Sequence, residues 1–300
     1  MSEQYATDAN LRARISLHQR FSTATEDWHR WLFGRVAPPG GARILEVGCG
    51  PAEFWKRNLD RIDPTWRLTL TDLSPGMLEA AREVLGDRAE YAVADVQELP
   101  FADESFDVVL ASHMLYHAAD RPKALAEIRR VLVSGGTLHA ATNGNGHMRQ
   151  LDELVADDWD FSRHGRAFGL ESGVPQLEPF FVDITEERLE SRLDVTELEP
   201  LVAYVGSAST FQGDLERIRR DAQGILERDG VFRIDAQPGV LHAASLDTVV
   251  LGLRGWTRST SDMRRSTPVG LPACSATSST PGSSSRRARR PATGSTVCAS

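Results

Sequence analysis

Hydrophobic positions along the chain fall into two regimes. From Leu11 to Val36 they recur at helical spacing, with Leu11, Ile15, Leu17 and Phe21 before a polar break at Ser22-Thr23-Ala24-Thr25 and Trp28, Trp31, Leu32 and Phe33 after it. That pattern predicts two helices. Beyond the linker Pro38-Pro39-Gly40-Gly41, short apolar runs begin to alternate with helical patterns. The runs at 42–48, 66–73, 89–94, 106–112 and 137–142 predict strands. Helices are expected over 52–59, from Ser74-Pro75 through Val84, and from Asp120 through Leu132 to a stop at Ser134-Gly135-Gly136. Ser74 reads as an N-cap with Pro75 at the first helical position. The largely apolar run 106–112 suits a strand buried on both faces. Strands alternating with helices over short connections predict an α/β fold with a doubly wound, mostly parallel sheet.

After 142 the pattern loosens. A short helix is expected near 147–156 inside an irregular insertion that runs to Pro179, then a sixth strand region over 180–195, helices over 197–206 and 213–228, and a C-terminal antiparallel strand or hairpin over 231–243 turning at Gln237-Pro238-Gly239. The domain reading is therefore an N-terminal helical lid (1–36), a ligand-binding core (37–142), a substrate-side insertion that completes the fold (143–250) and a low-complexity tail (251–300). In the tail, 30 of the 44 residues from Thr257 onward are Ser, Thr, Pro, Gly or Ala, too few apolar groups to offset the entropy of ordering, so disorder is expected. Its abrupt Arg/Ser/Pro/Thr composition is also what an out-of-frame reading of GC-rich DNA gives.

Charge narrows the partners. The net charge is −8 even though the tail carries seven arginines against Asp262, so the body is strongly acidic, which argues against nucleic acid as a partner. No apolar run approaches a membrane span. Residues 1–10 lack the basic and apolar regions of a signal peptide, so a cytoplasmic address is expected. Cys49, Cys274 and Cys298 make neither a disulfide framework nor a zinc site, and no metal is expected.

The chemistry concentrates at strand ends. In Glu46-Val47-Gly48-Cys49-Gly50-Pro51-Ala52-Glu53 a strand runs into two glycines spaced by one residue and then a helix start. Gly48 and Gly50 permit positive φ and close approach of a ligand to the backbone. A dinucleotide pyrophosphate would want a third glycine, which is missing, and would meet the carboxylates of Glu46 and Glu53; a cationic ligand suits the turn better. Asp72 ends the second strand, where a carboxylate can accept from both hydroxyls of a ribose, although it also reads as a turn-capping Asp before Ser74-Pro75. Asp95 ends the third strand, followed by Val96, whose backbone N–H could meet an adenine ring nitrogen.

Taken together, Ile44–Gly50, Leu70–Met77, Ala94–Phe101, Ser105–His117 and Glu127–Gly136 resemble class I S-adenosylmethionine (SAM)-dependent methyltransferases, in particular the group related to ubiquinone/menaquinone biosynthesis (methyltransferase type 11). The resemblance covers roughly residues 40–142 and implies a Rossmann-like methyltransferase fold with SAM as cofactor. It further implies that Glu46, Gly48 and Gly50 flank the methionine part of SAM, that Asp72 holds ribose, that Leu73 and Met77 touch adenine or ribose, that Asp95 and Val96 hold adenine, and that Ser112 and His113 lie beside the methionine moiety. Ala52 departs from the group's frequent third glycine, and Ser134 from its usual proline.

The expected reaction is methyl transfer to an O, N or C atom of a small organic acceptor, an in-line displacement for which the protein supplies alignment and, for an O–H or N–H acceptor, a base. His113, Tyr116 and His117 are the catalytic candidates, with His147 weaker. Tyr116 and His117 read equally well as packing or capping groups. His18, Arg20 and Phe21 are candidates to face the cofactor from the lid. The alternatives are an NAD-dependent oxidoreductase and a non-catalytic SAM-binding protein.

Overall fold

The computed structural model describes residues 8–36, 38–155, 167–207 and 213–246. The chain divides into two units, Met1–Arg254 and Gly255–Ser300. The tail read from 251 onward lies outside the described residues, as do residues 156–166 of the insertion. Two helices, α1 (Asp8–Phe21) and α2 (Trp28–Val36), precede the alternating part. That part runs β1 (Arg43–Val47), α3 (Glu53–Lys56), β2 (Arg67–Asp72), α4 (Pro75–Leu85), β3 (Ala89–Val93), β4 (Phe106–Ser112), α5 (Arg121–Val131) and β5 (Leu132–Asn143). After it come α6 (Arg149–Val155), α7 (Leu170–Leu177), β6 (Phe181–Arg188), β7 (Ser191–Val195), α8 (Leu198–Gly206), α9 (Leu215–Asp229), β8 (Phe232–Ala236) and β9 (Pro238–Ser245).

Seven strands form one sheet in the order β3-β2-β1-β4-β5-β9-β6. The first five are parallel, and β9 enters antiparallel between β5 and β6. Successive side chains of a strand point to opposite faces, and the core divides accordingly. Leu45, Val47, Val109, Leu138 and Leu241 pack with α5 and α7 on one face. Ile44, Leu70, Val108, Leu110 and Val240 pack with α2, α3 and α4 on the other. A third cluster joins α1, α6, α8 and α9 to β7 and β8. The α/β sandwich is the architecture that the alternation predicts.

Four local expectations are corrected. Of the two forms expected at 231–243, the antiparallel strand is present and the hairpin is not: β8 and β9 flank Gln237, but β8 pairs with β7 in a separate two-stranded sheet while both edges of β9 are taken, antiparallel, by β5 and β6. The strand region 180–195 is two strands, in different sheets, that part at Leu189-Glu190. The helix over 52–59 is only Glu53–Lys56, followed by turns. Ser74 stands at the N-cap of α4 but its side chain makes no capping bond; Asp120 does cap α5, accepting from the Lys123 N–H at 3.0 Å. The irregular insertion also holds α7, whose Leu170, Gly173 and Leu177 are buried at helical spacing.

Candidate active site

Strand order reverses between β1 and β4, and in such sheets the crevice at the carboxyl ends of the strands on either side of that point is the ligand site. Gly48 and Gly50 sit there with φ of +63° and +54°. They do different work. A Cβ on Gly48 would lie 2.8 Å from Cβ of Met114, in the loop after β4, so Gly48 lets that loop close on the turn. A Cβ on Gly50 would meet nothing within 4 Å, so Gly50 borders the open side of the crevice. Ala52, fully buried, also takes a left-handed conformation, φ 58° and ψ 36°. The backbone at the expected third glycine thus keeps a glycine-like shape with an alanine in it.

Asp72 ties the turn to the end of β2. Its Oδ2 accepts the Gly50 N–H at 3.0 Å and its Oδ1 accepts the Ser74 N–H at 2.8 Å. Each oxygen keeps a second lone pair, the acceptor capacity that a ribose diol needs. Beside it, Leu73 is 52% exposed and Val93, directly across from Asp72 on β3, is 57% exposed. Two bare apolar side chains next to a buttressed carboxylate make a surface suited to a nucleoside. Met77 is half-buried in the first turn of α4, its N–H donating to the Ser74 carbonyl.

Glu46 departs from the charge argument made for it. It is 2% exposed and its Oε2 accepts the indole N–H of Trp55 at 2.6 Å. Burial pushes its carboxyl up to about 8, and neighbouring Asp72 pushes the same way, against the Trp55 hydrogen bond. At neutral pH the group is mostly a carboxylic acid, so it brings negative charge to the turn only when a cation or a rise in pH draws the proton off. Trp55, in α3 nine positions along the chain, is a partner that the motif does not name.

At the end of β3, Asp95 is engaged by Gln97, whose side-chain amide donates to both carboxylate oxygens at 3.0 and 2.9 Å. The Gln97 Oε1 in turn accepts the Asp120 N–H at 2.7 Å. An adenine amino group reaching Asp95 would share it with Gln97, a neighbour that motif reading passes over. The Val96 side chain is buried in the core, leaving its backbone as the part available for recognition.

Beyond β4, Ser112 is half-buried, and His113 has a left-handed φ of 52° with its N–H donating to the Ala141 carbonyl at 2.9 Å. Its ring lies 5.5 Å from that of Trp28 in α2. Tyr116 is half-buried and packs edge-on against exposed His117 at 4.6 Å. A second group of rings joins α1, α8 and the loop after β5: His18 of α1 lies 6.0 Å from His147 with nearly parallel planes and 6.1 Å from Tyr204 of α8. Burial lowers His18 to about 4 and His147 well below the usual histidine value, with His18 and His113 adding to the effect on His147. Of the three lid candidates, His18 alone joins this group; Phe21 is buried in the third cluster and Arg20 is paired with Glu197 at 2.5 Å.

A family model described as a methyltransferase domain matches residues 45–140. The malonyl-[acyl-carrier protein] O-methyltransferase of Serratia marcescens is 32% identical over 140 residues, 46% of this chain and 52% of that protein. The ubiquinone/menaquinone biosynthesis C-methyltransferase of Paracoccus denitrificans is 36% identical over 127 residues, 41% of this chain and 48% of that protein. The chain spans about half the length of the curated relatives it matches. Among solved structures, a candidate methyltransferase from Bacillus halodurans superposes with a TM-score of 0.53 at 20% identity, over 73% of this chain and 99% of that one. A phosphoethanolamine N-methyltransferase from Haemonchus contortus, solved with S-adenosylhomocysteine, gives 0.51 at 20% identity over 82% and 59%. These structures share the fold. The matched segment covers the glycine turn, Asp72, Asp95 and the β4 loop, and the oxidoreductase reading finds no support in these matches.

Proposed function

We propose that the chain is a SAM-dependent methyltransferase that moves a methyl group to an O, N or C atom of a small organic acceptor. The observation that carries this reading is the tie between Gly50 and Asp72 at the switch point, within the segment that matches the methyltransferase domain. The residues fit the cofactor. Gly50 borders open space, Asp72 has acceptor capacity left for ribose, and Leu73, Val93 and Met77 offer apolar surface for adenine beside Asp95 and the Val96 N–H. Glu46 and Gly48 back the methionine end, with Ser112 and His113 across from them.

Bound SAM supplies an activated methyl group on a sulfonium, so the chain's own work is alignment, exclusion of water and, where the acceptor carries a proton, its removal. Among the three base candidates, His113 has the best position, one residue beyond β4 and packed on Trp28. His117 is exposed and Tyr116 packs against the core. The relatives named above methylate carbon, oxygen and nitrogen, and one acts on a malonyl group held by a carrier protein. The acceptor here is accordingly a free small molecule or a small group on a carrier. The acidic body disfavours nucleic acid. Among the described residues no helix is long and apolar enough to cross a membrane, and a cytoplasmic site of action is our reading.

Calorimetry with S-adenosylhomocysteine tests the proposal. Asp72→Ala should weaken binding by at least about tenfold, the effect of losing one charge-assisted hydrogen bond. Unchanged affinity, or a preference for NAD, would overturn it. Transfer of label from SAM to a panel of small acceptors separates an enzyme from a protein that only binds the cofactor.

A further inference from the structure

Of the five segments that resemble methyltransferases, Glu127–Gly136 is the one to which the resemblance assigns no cofactor contact. It begins on α5, against the connection from β3 to β4. That connection, residues 94–105, holds no helix or strand, only an isolated bridge between Asp95 and Glu98. Its backbone groups need partners from elsewhere. The Glu98 N–H donates to the Asp95 carbonyl at 2.9 Å, closing a tight turn with Val96 and Gln97 at its head. Leu99 follows directly, and the side chains of Val96 and Leu99 are buried in the cluster that includes α5.

Two side chains of α5 hold what comes after the turn. Oε2 of Glu127 accepts the Leu99 N–H at 2.9 Å. Arg130 donates from Nη2 to the Leu99 carbonyl at 3.0 Å, and from Nη1 to the Phe101 carbonyl at 2.7 Å and to Oδ1 of Asp103 at 2.8 Å. Its Nε and Nη2 also donate to Oε1 and Oε2 of Glu127, both at 2.7 Å. All five N–H groups of the guanidinium are thereby engaged, and the planar fork fixes Glu127 and the loop in one geometry. Arg130 holds the Glu127 carboxyl below the usual carboxylate range, so the pair is ionic at neutral pH. It differs from an ordinary surface ion pair, because both partners also grip loop backbone. The start of α5 adds a further tie, the Asp120 N–H donating to Oε1 of Gln97 at 2.7 Å.

We propose that Glu127 and Arg130 are positioning residues for the cofactor's base: they hold the turn at Asp95–Glu98 in one shape and so set its preference for adenine over other purines. This rests on the methyltransferase reading and deepens it by naming residues that act on the site through the loop backbone. Adenine presents a donor, its amino group, beside an acceptor ring nitrogen, and the Asp95 carboxylate with the Val96 N–H is the complementary pair. Hypoxanthine reverses both, with an oxygen in place of the amino group and a hydrogen on the ring nitrogen. A turn held in one shape sets like against like there and rejects it. A loose turn swings away and loses the distinction.

Calorimetry on the full chain with S-adenosylhomocysteine and S-inosylhomocysteine, which differ only at this edge of the base, tests the clamp. The unsubstituted chain should prefer the adenosyl compound. In Glu127→Ala and Arg130→Ala that preference should shrink by about three- to tenfold, the scale of one weakened hydrogen bond. Arg130→Lys keeps the charge but not the fork, so it should shrink the preference too, and its affinities decide the matter if the alanine variants do not fold. A merely structural role would lower the melting temperature and weaken both compounds in the same proportion, so an unchanged ratio overturns the clamp. Failure of S-adenosylhomocysteine to bind the unsubstituted chain would refute the methyltransferase reading itself. Normal binding without a preference for adenine would refute only the clamp and the turn that it holds.

Discussion

The indole N–H of Trp55 donates to Oε2 of Glu46 at 2.6 Å, and both residues are 2% exposed. A carboxyl sealed in this way, with its ionisation pushed up to about 8, must release a proton to meet a cationic cofactor. SAM affinity should therefore rise with pH up to about 8 and then level, by up to about tenfold per unit. Calorimetry at pH 7 in two buffers of different ionisation enthalpy should report proton release on binding. In Glu46→Gln the release and the pH dependence should vanish.

Alanine at the two glycines should separate folding from binding. Gly48→Ala forces a Cβ to 2.8 Å from Met114 at a left-handed φ, so thermal stability should fall by more than the conformational cost of about 1–2 kcal/mol alone. Gly50→Ala bears the conformational cost but meets no neighbour. It should stay folded, with a melting temperature lowered by a few degrees, and lose cofactor affinity, measured as S-adenosylhomocysteine binding.

Ala52 is left-handed and wholly buried. A β-branched side chain has neither the backbone freedom nor the room, so Ala52→Val should cost more than about 2 kcal/mol in denaturant unfolding. For Ala52→Gly, relief of left-handed strain opposes greater freedom of the unfolded chain, and stability should stay within about 1 kcal/mol.

Stability should be greatest near pH 6.5 as far as the buried titrating groups decide it. His139 is held down to about 3 and His18 to about 4 by burial, against 6.5 ordinarily. Between those values and 6.5 the unfolded chain binds more protons than the folded one, so stability is lost as pH falls. Glu46 has the opposite sign. Its folded value of about 8 exceeds the ordinary 4.5, so its contribution is lost as pH rises from 4.5 to 8, by up to about 1.4 kcal/mol per pH unit. Melting temperature against pH should decline on both sides, and Glu46→Gln should flatten the alkaline side.

The turns of the candidate site are legible in the sequence because strand ends announce themselves locally. Gly48, Gly50, Asp72 and Asp120 are turn and cap residues whose roles depend on immediate neighbours. What escaped depends on distance along the chain: Trp55 meets Glu46 by way of a short helix, and His147 meets the Gln237 backbone 90 positions away. The separation of β6 from β7, and of β8 from β9, was hidden for a related reason. An alternating strand has the same pattern whichever sheet receives it, and only the packing of Leu193, Phe232 and Ile234 against α1, α6, α8 and α9 assigns β7 and β8 elsewhere.

Gln97 offers a sharper case, since it lies inside a matched motif and still went unread. It clasps Asp95 and is tied to the Asp120 backbone. Gln97→Ala should leave melting almost unchanged, yet weaken S-adenosylhomocysteine by several-fold because the carboxylate loses its fixed orientation. Equal affinity would mean that Asp95 orients itself.

The placement of β9 also sets an order of assembly. During synthesis β5 and β6 emerge well before Pro238–Ser245, and neither can pair with the other because a strand from the end of the fold must lie between them. Until it arrives, both present bare edges, the condition in which chains stick to one another. Late closure of the sheet by β9 is then the step at which a ribosome-bound chain is most exposed to aggregation, and at which a chaperone would contribute most.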